Sequence, residues 1–133
     1  MNQPGDDFSL IQKRAQSFRY AYDGISYVLR TQPNARIHLI IMVCVILVAL
    51  WLRLTTVDWA LLVLAMTIVW TAEFTNTAIE ALVDLASPEQ HRLAKVAKDV
   101  SAGAVLVAAI GSVVVGLLIL APPLLVRLGI GLA

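Results

Sequence analysis

Three apolar runs, at residues 37–54, 57–85 and 102–120, constrain this chain more than any other feature. Crossing the hydrocarbon core of a bilayer takes about 20 mostly apolar residues in an α-helix. The first run is short for that task, the third fits it, and the second is long enough to cross and then protrude. A closed β-barrel is the other way to satisfy every backbone hydrogen bond in lipid, but continuous apolar runs do not alternate as barrel strands do. A soluble domain of 133 residues has too little interior to hide a chain that is 59% hydrophobic and 14% charged. The length is that of one domain, covering residues 1–133. A net charge of +1 gives no overall field for nucleic acid. The single cysteine, Cys44, lies inside the first run and reads as a packing residue.

The flanks set the expected orientation. Lys13, Arg14, Arg19, Arg30 and Arg36 precede the first run, and the short connection to the second carries only Arg53, near the end of the first run. Arg92, Lys95 and Lys98 lie between the second and third, and only Arg127 follows. Basic residues stay on the cytoplasmic side, so the N-terminus and the second connection are expected there. The start, MNQPGDDFSL, lacks the basic and apolar regions of a signal peptide, so insertion is expected to rely on the internal helices. Trp51 and Trp59 flank the short outer connection as an interfacial aromatic pair. Ahead of the first run, Phe8, Ile11, Ala15, Phe18, Tyr22, Ile25 and Leu29 recur at spacings of three and four. That spacing predicts an amphipathic helix over 8–31, too polar to span and suited to lie in the membrane interface. Gln32-Pro33-Asn34 ends it.

Membrane helices are expected over 37–54, 57–85 and 88–121. The last is expected to start with Ser87 as N-cap, Pro88 in the first turn and Gln90 completing a capping box. It is expected to stop at the Pro122-Pro123 break. Ser101, Ala102, Gly103 and Ala104 suit close helix packing in lipid.

The chemistry concentrates in Glu73-Phe-Thr-Asn76-Thr-Ala-Ile-Glu80-Ala-Leu-Val-Asp84. At about 100° per residue, positions 73, 76, 80 and 84 share an arc of roughly 80° on one helix face. A carboxylate near hydrocarbon costs several kcal/mol unless it is paired, protonated or bound to a cation. The stripe therefore points to a cation site or an acid/base pair. A contact with Arg92, Lys95 and Lys98 across the turn would account for Asp84, but not for Glu73, the deepest of the four. Lys98 and Asp99 emerge one helix away near the same interface, and a lysine there can bind phosphate as a point charge. His38 and His91 read as interfacial polar residues in different cytoplasmic loops. No nucleotide-binding glycine loop and no metal-spaced histidine or cysteine set occurs.

This segment, followed by His91-Arg-Leu-Ala-Lys95-Val-Ala-Lys98-Asp99-Val-Ser-Ala-Gly-Ala-Val-Leu, closely resembles the prokaryotic diacylglycerol kinases, a family that includes the undecaprenol kinases. The resemblance covers nearly the whole chain. It implies an all-α homotrimeric bundle, with a surface helix and three transmembrane helices per subunit, in the bacterial cytoplasmic membrane. It also implies phosphorylation of a lipid hydroxyl with Mg²⁺ and ATP. On that resemblance Glu73 is the expected general base, Asn76 a polar contact beside it, and Glu80 a metal ligand. Lys98 and Asp99 are the expected nucleotide contacts, with Lys13, Tyr20 and His91 as further ones. Ala35-Arg36-Ile37-His38 and the Ala-Gly-Ala run after Asp99 look more like the undecaprenol branch, with diacylglycerol as the alternative substrate.

One position departs from the pattern. Gln32 stands where the family commonly carries a second metal-binding glutamate. An amide oxygen can coordinate Mg²⁺, but without charge it holds the ion less firmly. That leaves open a weaker metal site, ligation by another carboxylate, or a catalytically inactive paralogue. The acidic stripe alone would also suit a small proton- or ion-coupled transporter subunit, and the small-residue face a non-enzymatic scaffold. Neither accounts for Lys98-Asp99 beside the stripe.

Overall fold

The computed structural model describes residues 4–87 and 91–130, without the side chains of residues 4–9 and 11. Four α-helices follow in order: α1 (Pro4–Thr31), α2 (Pro33–Leu52), α3 (Thr56–Ala86) and α4 (Arg92–Arg127). The last three are each long and apolar enough to cross a membrane. The chain clusters into two compact units, Met1–Pro33 and Asn34–Ala133.

The first unit is α1. Phe18, Tyr22 and Ile25 on its expected apolar face are exposed, as in a helix whose apolar side is left for lipid. Thr31 bonds back to the Tyr27 carbonyl and the Gln32 N–H closes the last turn on the Val28 carbonyl. Pro33 then opens α2, where its missing N–H is no loss.

In the second unit, α2 has 20 residues, about 30 Å at 1.5 Å per residue, which matches the hydrocarbon core. It ends in a turn that bonds the Leu54 N–H to the Ala49 carbonyl and the Arg53 N–H to the Leu50 carbonyl. Arg53 takes a left-handed conformation there, at φ 56°, in the place where such turns usually carry glycine. A capping box starts α3 at once. Asp58 N–H bonds to the Thr55 hydroxyl at 3.3 Å, and Thr55 N–H bonds to Asp58 Oδ2 at 3.1 Å.

With 31 residues, α3 is longer than the bilayer core, and α4 with 36 is longer still. Ser101 and Val105 are the buried residues of α4. Gly103 has open space where a Cβ would lie. The tight packing expected from the whole small-residue run therefore comes from one face of it. Between α2 and α3 the Trp70 indole N–H donates to Met42 Sδ at 3.3 Å, and Trp70 also packs on Phe74.

Two boundaries of the last helix differ from expectation. Ser87 is the C-cap of α3, its N–H committed to the Val83 carbonyl, rather than the N-cap of α4. His91 caps α4 instead, with Nδ1 accepting from the Leu93 N–H at 3.2 Å. Pro88 and Gln90 lie outside the described residues. At its other end α4 runs through Pro122 and Pro123 to Arg127. Two prolines remove two N–H donors without reversing the chain, a loss tolerated in membrane helices. The turn beyond them is tied down by Arg127, whose Nη1 donates to the Trp51 carbonyl at 3.0 Å while its guanidinium lies 4.7 Å from the Trp51 ring centre.

Candidate functional site

The polar stripe on α3 forms a gradient from buried to exposed. Glu73 is 2% exposed, Asn76 is buried, Glu80 is half-buried and Asp84 is exposed. From Thr56 to Glu73 the helix rises about 26 Å, and from Glu73 to Asp84 about 16 Å more. The stripe thus begins near the edge of a 30 Å core and ends in water.

Asn76 is the hub. Its amide nitrogen donates to Glu80 Oε1 at 3.0 Å, and its oxygen accepts from the Ser101 hydroxyl of α4 at 2.7 Å. The Ser101 hydroxyl also lies 2.9 Å from the Lys98 carbonyl. This network fixes which way Glu80 points and joins the stripe to α4 just beyond Lys98. Beside Asn76 and Ser101, a groove of about 350 Å³ continues toward the membrane along Thr67, Thr71 and Thr75 of α3.

At the outer end the expected cations have carboxylate partners. Lys98 pairs with Asp84 across the turn, and Lys95 lies 2.8 Å from Asp99 on its own helix. Glu73 has no lysine. Its Oε1 is buried and lacks an aligned hydrogen bond among the described residues. The nearest basic group is His38, whose Nε2 lies 3.2 Å away. His38 is therefore not in a cytoplasmic loop but on α2 opposite Glu73, within the run expected to span. The signal that could have found it is its place in the first turns of a membrane helix, where a polar residue needs a partner.

The other expected contacts are distributed as follows. His91 sits at the start of α4 with Nδ1 used in capping, which leaves Nε2 for a ligand. Lys13 and Tyr20 are exposed on α1, and Gln32 is half-buried between α1 and α2. Among the described residues no three His, Cys, Asp or Glu side chains are grouped to hold a metal by themselves. Magnesium brought in on a nucleotide needs only one or two carboxylates besides the phosphates. Glu80, oriented by Asn76, fits that requirement.

Comparison with known proteins places the chain among membrane lipid kinases. A profile of the prokaryotic diacylglycerol kinase family matches residues 19–120. A diacylglycerol kinase of Synechocystis is 50% identical over 110 residues, which are 82% of this chain and 63% of that protein. The chain therefore spans less than two thirds of the length of that relative. An undecaprenol kinase of Bacillus subtilis is 38% identical over 109 residues, covering 82% of this chain and 89% of the relative. The diacylglycerol kinase of Escherichia coli K12 is 30% identical over 95 residues, 71% of this chain and 78% of its own.

Proposed function

The chain belongs to the prokaryotic diacylglycerol kinase family, and from that premise we propose that it transfers the terminal phosphoryl group of ATP to the hydroxyl of a membrane lipid. The observation that carries the reading is Glu73, a carboxylate buried in a helix long enough to cross a membrane, with one oxygen lacking an aligned hydrogen bond. A lipid hydroxyl is held at the depth where hydrocarbon meets water. A base for it belongs at that depth, and the groups that meet ATP belong further out, which is the order along α3 and the start of α4.

In this reading Glu73 accepts the hydroxyl proton as the hydroxyl oxygen attacks phosphorus and the bond to ADP breaks. Asn76 holds the reacting groups beside it. Glu80, with Gln32, would hold Mg²⁺, which supplies charge neutralisation on the phosphates. Lys98 and Asp99 contact the nucleotide, with Lys13, Tyr20 and His91 as further contacts. For Lys98 this means turning its ammonium from Asp84 to phosphate. Positioning and charge are most of what phosphoryl transfer asks of a protein.

Undecaprenol is the substrate we favour, on the residues around His38 and after Asp99. Diacylglycerol is the second reading, supported by the name of the Synechocystis relative. The working form is a homotrimer of the whole 133-residue chain in a bacterial cytoplasmic membrane, with the N-terminus inside, as the distribution of Lys and Arg supports.

The test is label transfer from radioactive ATP with Mg²⁺, in mild detergent or lipid, with undecaprenol and diacylglycerol in separate reactions. Wild-type protein is expected to label one of the two lipids, and Glu73→Gln neither. Folded, oligomeric wild type that labels neither overturns the reading. Gln32→Glu then separates a degenerate kinase, which would recover activity, from the transporter and the scaffold, which would not.

A further inference from the structure

We propose that His38 is the positioning residue for Glu73, holding the buried carboxylate through Nε2 in the orientation that a substrate hydroxyl meets. What the carboxylate does rests on the kinase reading. That the two side chains act as a pair rests on their geometry.

A carboxylate turns easily about its last torsion, which has no sharp staggered minima. In most buried sites hydrogen bonds fix that torsion. Oε1 of Glu73 lacks such a bond, although the residue is 2% exposed. The two lysines of α4 do not supply one. Lys98 and Lys95 are paired with Asp84 and Asp99, and Asp84 is about 16 Å along α3 from Glu73. His38 Nε2, at 3.2 Å, is within contact distance but off the line of a hydrogen bond. The imidazole has a soft torsion of its own about which it can turn toward that line. Catalytic hydrogen bonds are often loose in the free enzyme and tighten in the substrate complex.

A second contact joins the same two helices. About one turn deeper, Met42 of α2 meets Trp70 of α3 through the indole N–H. His38 and Met42 are four residues apart on α2, and Glu73 and Trp70 three apart on α3, so each contact occupies the same face as the other. The Met42–Trp70 contact thus fits the same register that sets His38 against Glu73. For a carboxylate to face Nε2 favourably, that nitrogen must carry a proton. His38 is therefore proposed as a donor to Glu73, with no proton transferred between them.

The chain has two histidines, so protein labelled with ¹⁵N-histidine gives two imidazoles, which His91→Gln assigns. In the full-length oligomer, Glu73→Gln is expected to shift the His38 Nε2 resonance. In lipid-kinase assays, His38→Ala is expected to lower kcat about 100-fold, the order of loss that misplacing a reacting group by about an ångström produces. KM for ATP and for the lipid should hold. His38→Gln, which keeps an N–H donor near the same place, should recover most of kcat. A His38 resonance indifferent to Glu73→Gln, or a kcat indifferent to His38→Ala, overturns the proposal while label transfer by the wild type keeps the kinase reading standing. Folded wild type that shows the resonance shift but transfers no phosphate removes the kinase reading, and with it the consequence for catalysis.

Discussion

Ser101 has one hydroxyl proton and two acceptors within reach, Asn76 Oδ1 and the Lys98 carbonyl. Replacing it by alanine leaves the buried Asn76 oxygen without that donor. Ser101→Ala is expected to cost about 1–3 kcal/mol, read as a lower unfolding temperature in detergent, and to lower kcat by loosening Asn76 and through it Glu80. Lys98→Met tests a different role. If its ammonium leaves Asp84 for phosphate, losing a charged hydrogen bond worth about 1.5–3 kcal/mol should raise KM for ATP roughly tenfold or more. KM for the lipid should barely change, and steady-state kinetics with each substrate varied decides it. At this scale the acidic stripe was legible because helical periodicity alone puts positions 73, 76, 80 and 84 on one face. The Lys98–Asp84 pair was legible as a cation near the end of the stripe. The partner of Glu73 was not, because His38 is 35 positions away and no local rule joins them.

At the scale of helices, the connection between α2 and α3 is the three residues Arg53, Leu54 and Thr55. Arg53 takes a left-handed conformation that costs a residue with a Cβ about 1–2 kcal/mol, while glycine pays more backbone entropy on folding. Arg53→Gly is expected to raise the unfolding temperature slightly, by the equivalent of up to about 1 kcal/mol. Thr55→Val removes the side-chain half of the capping box and is expected to cost about 1 kcal/mol by the same measurement. The ends of α4 show where local signals mislead. Ser87 and Pro88 read as a helix start, but the Ser87 N–H is used to close α3. Pro122 and Pro123 read as a helix stop, but contacts beyond them hold the last turn in place. Cap chemistry indicates that a terminus is possible at a position, while neighbouring elements decide which of two candidates is used.

For the whole molecule, Arg127 and Trp51 join residues 76 positions apart and tie the end of α4 to the end of α2. Arg127→Ala is expected to lower the unfolding temperature, with about 0.5–1 kcal/mol lost from the stacking contact alone. Because it lies at the opposite end of α4 from Lys98, both KM values should stay put. Membrane helices of this length were determined by the sequence alone, since a run of about 20 apolar residues has few other ways to satisfy its backbone and side chains. So was the face of α3 that carries the chemistry, because helical geometry is the same in every context. Only the tertiary structure decided that Asn76 bonds to Ser101 of α4 and that His38 faces Glu73. Those contacts depend on the register and spacing of one helix against another. Between α2 and α3 the side chains of Met42 and Trp70 meet at that register, and packing of that kind leaves no motif in the sequence to be read.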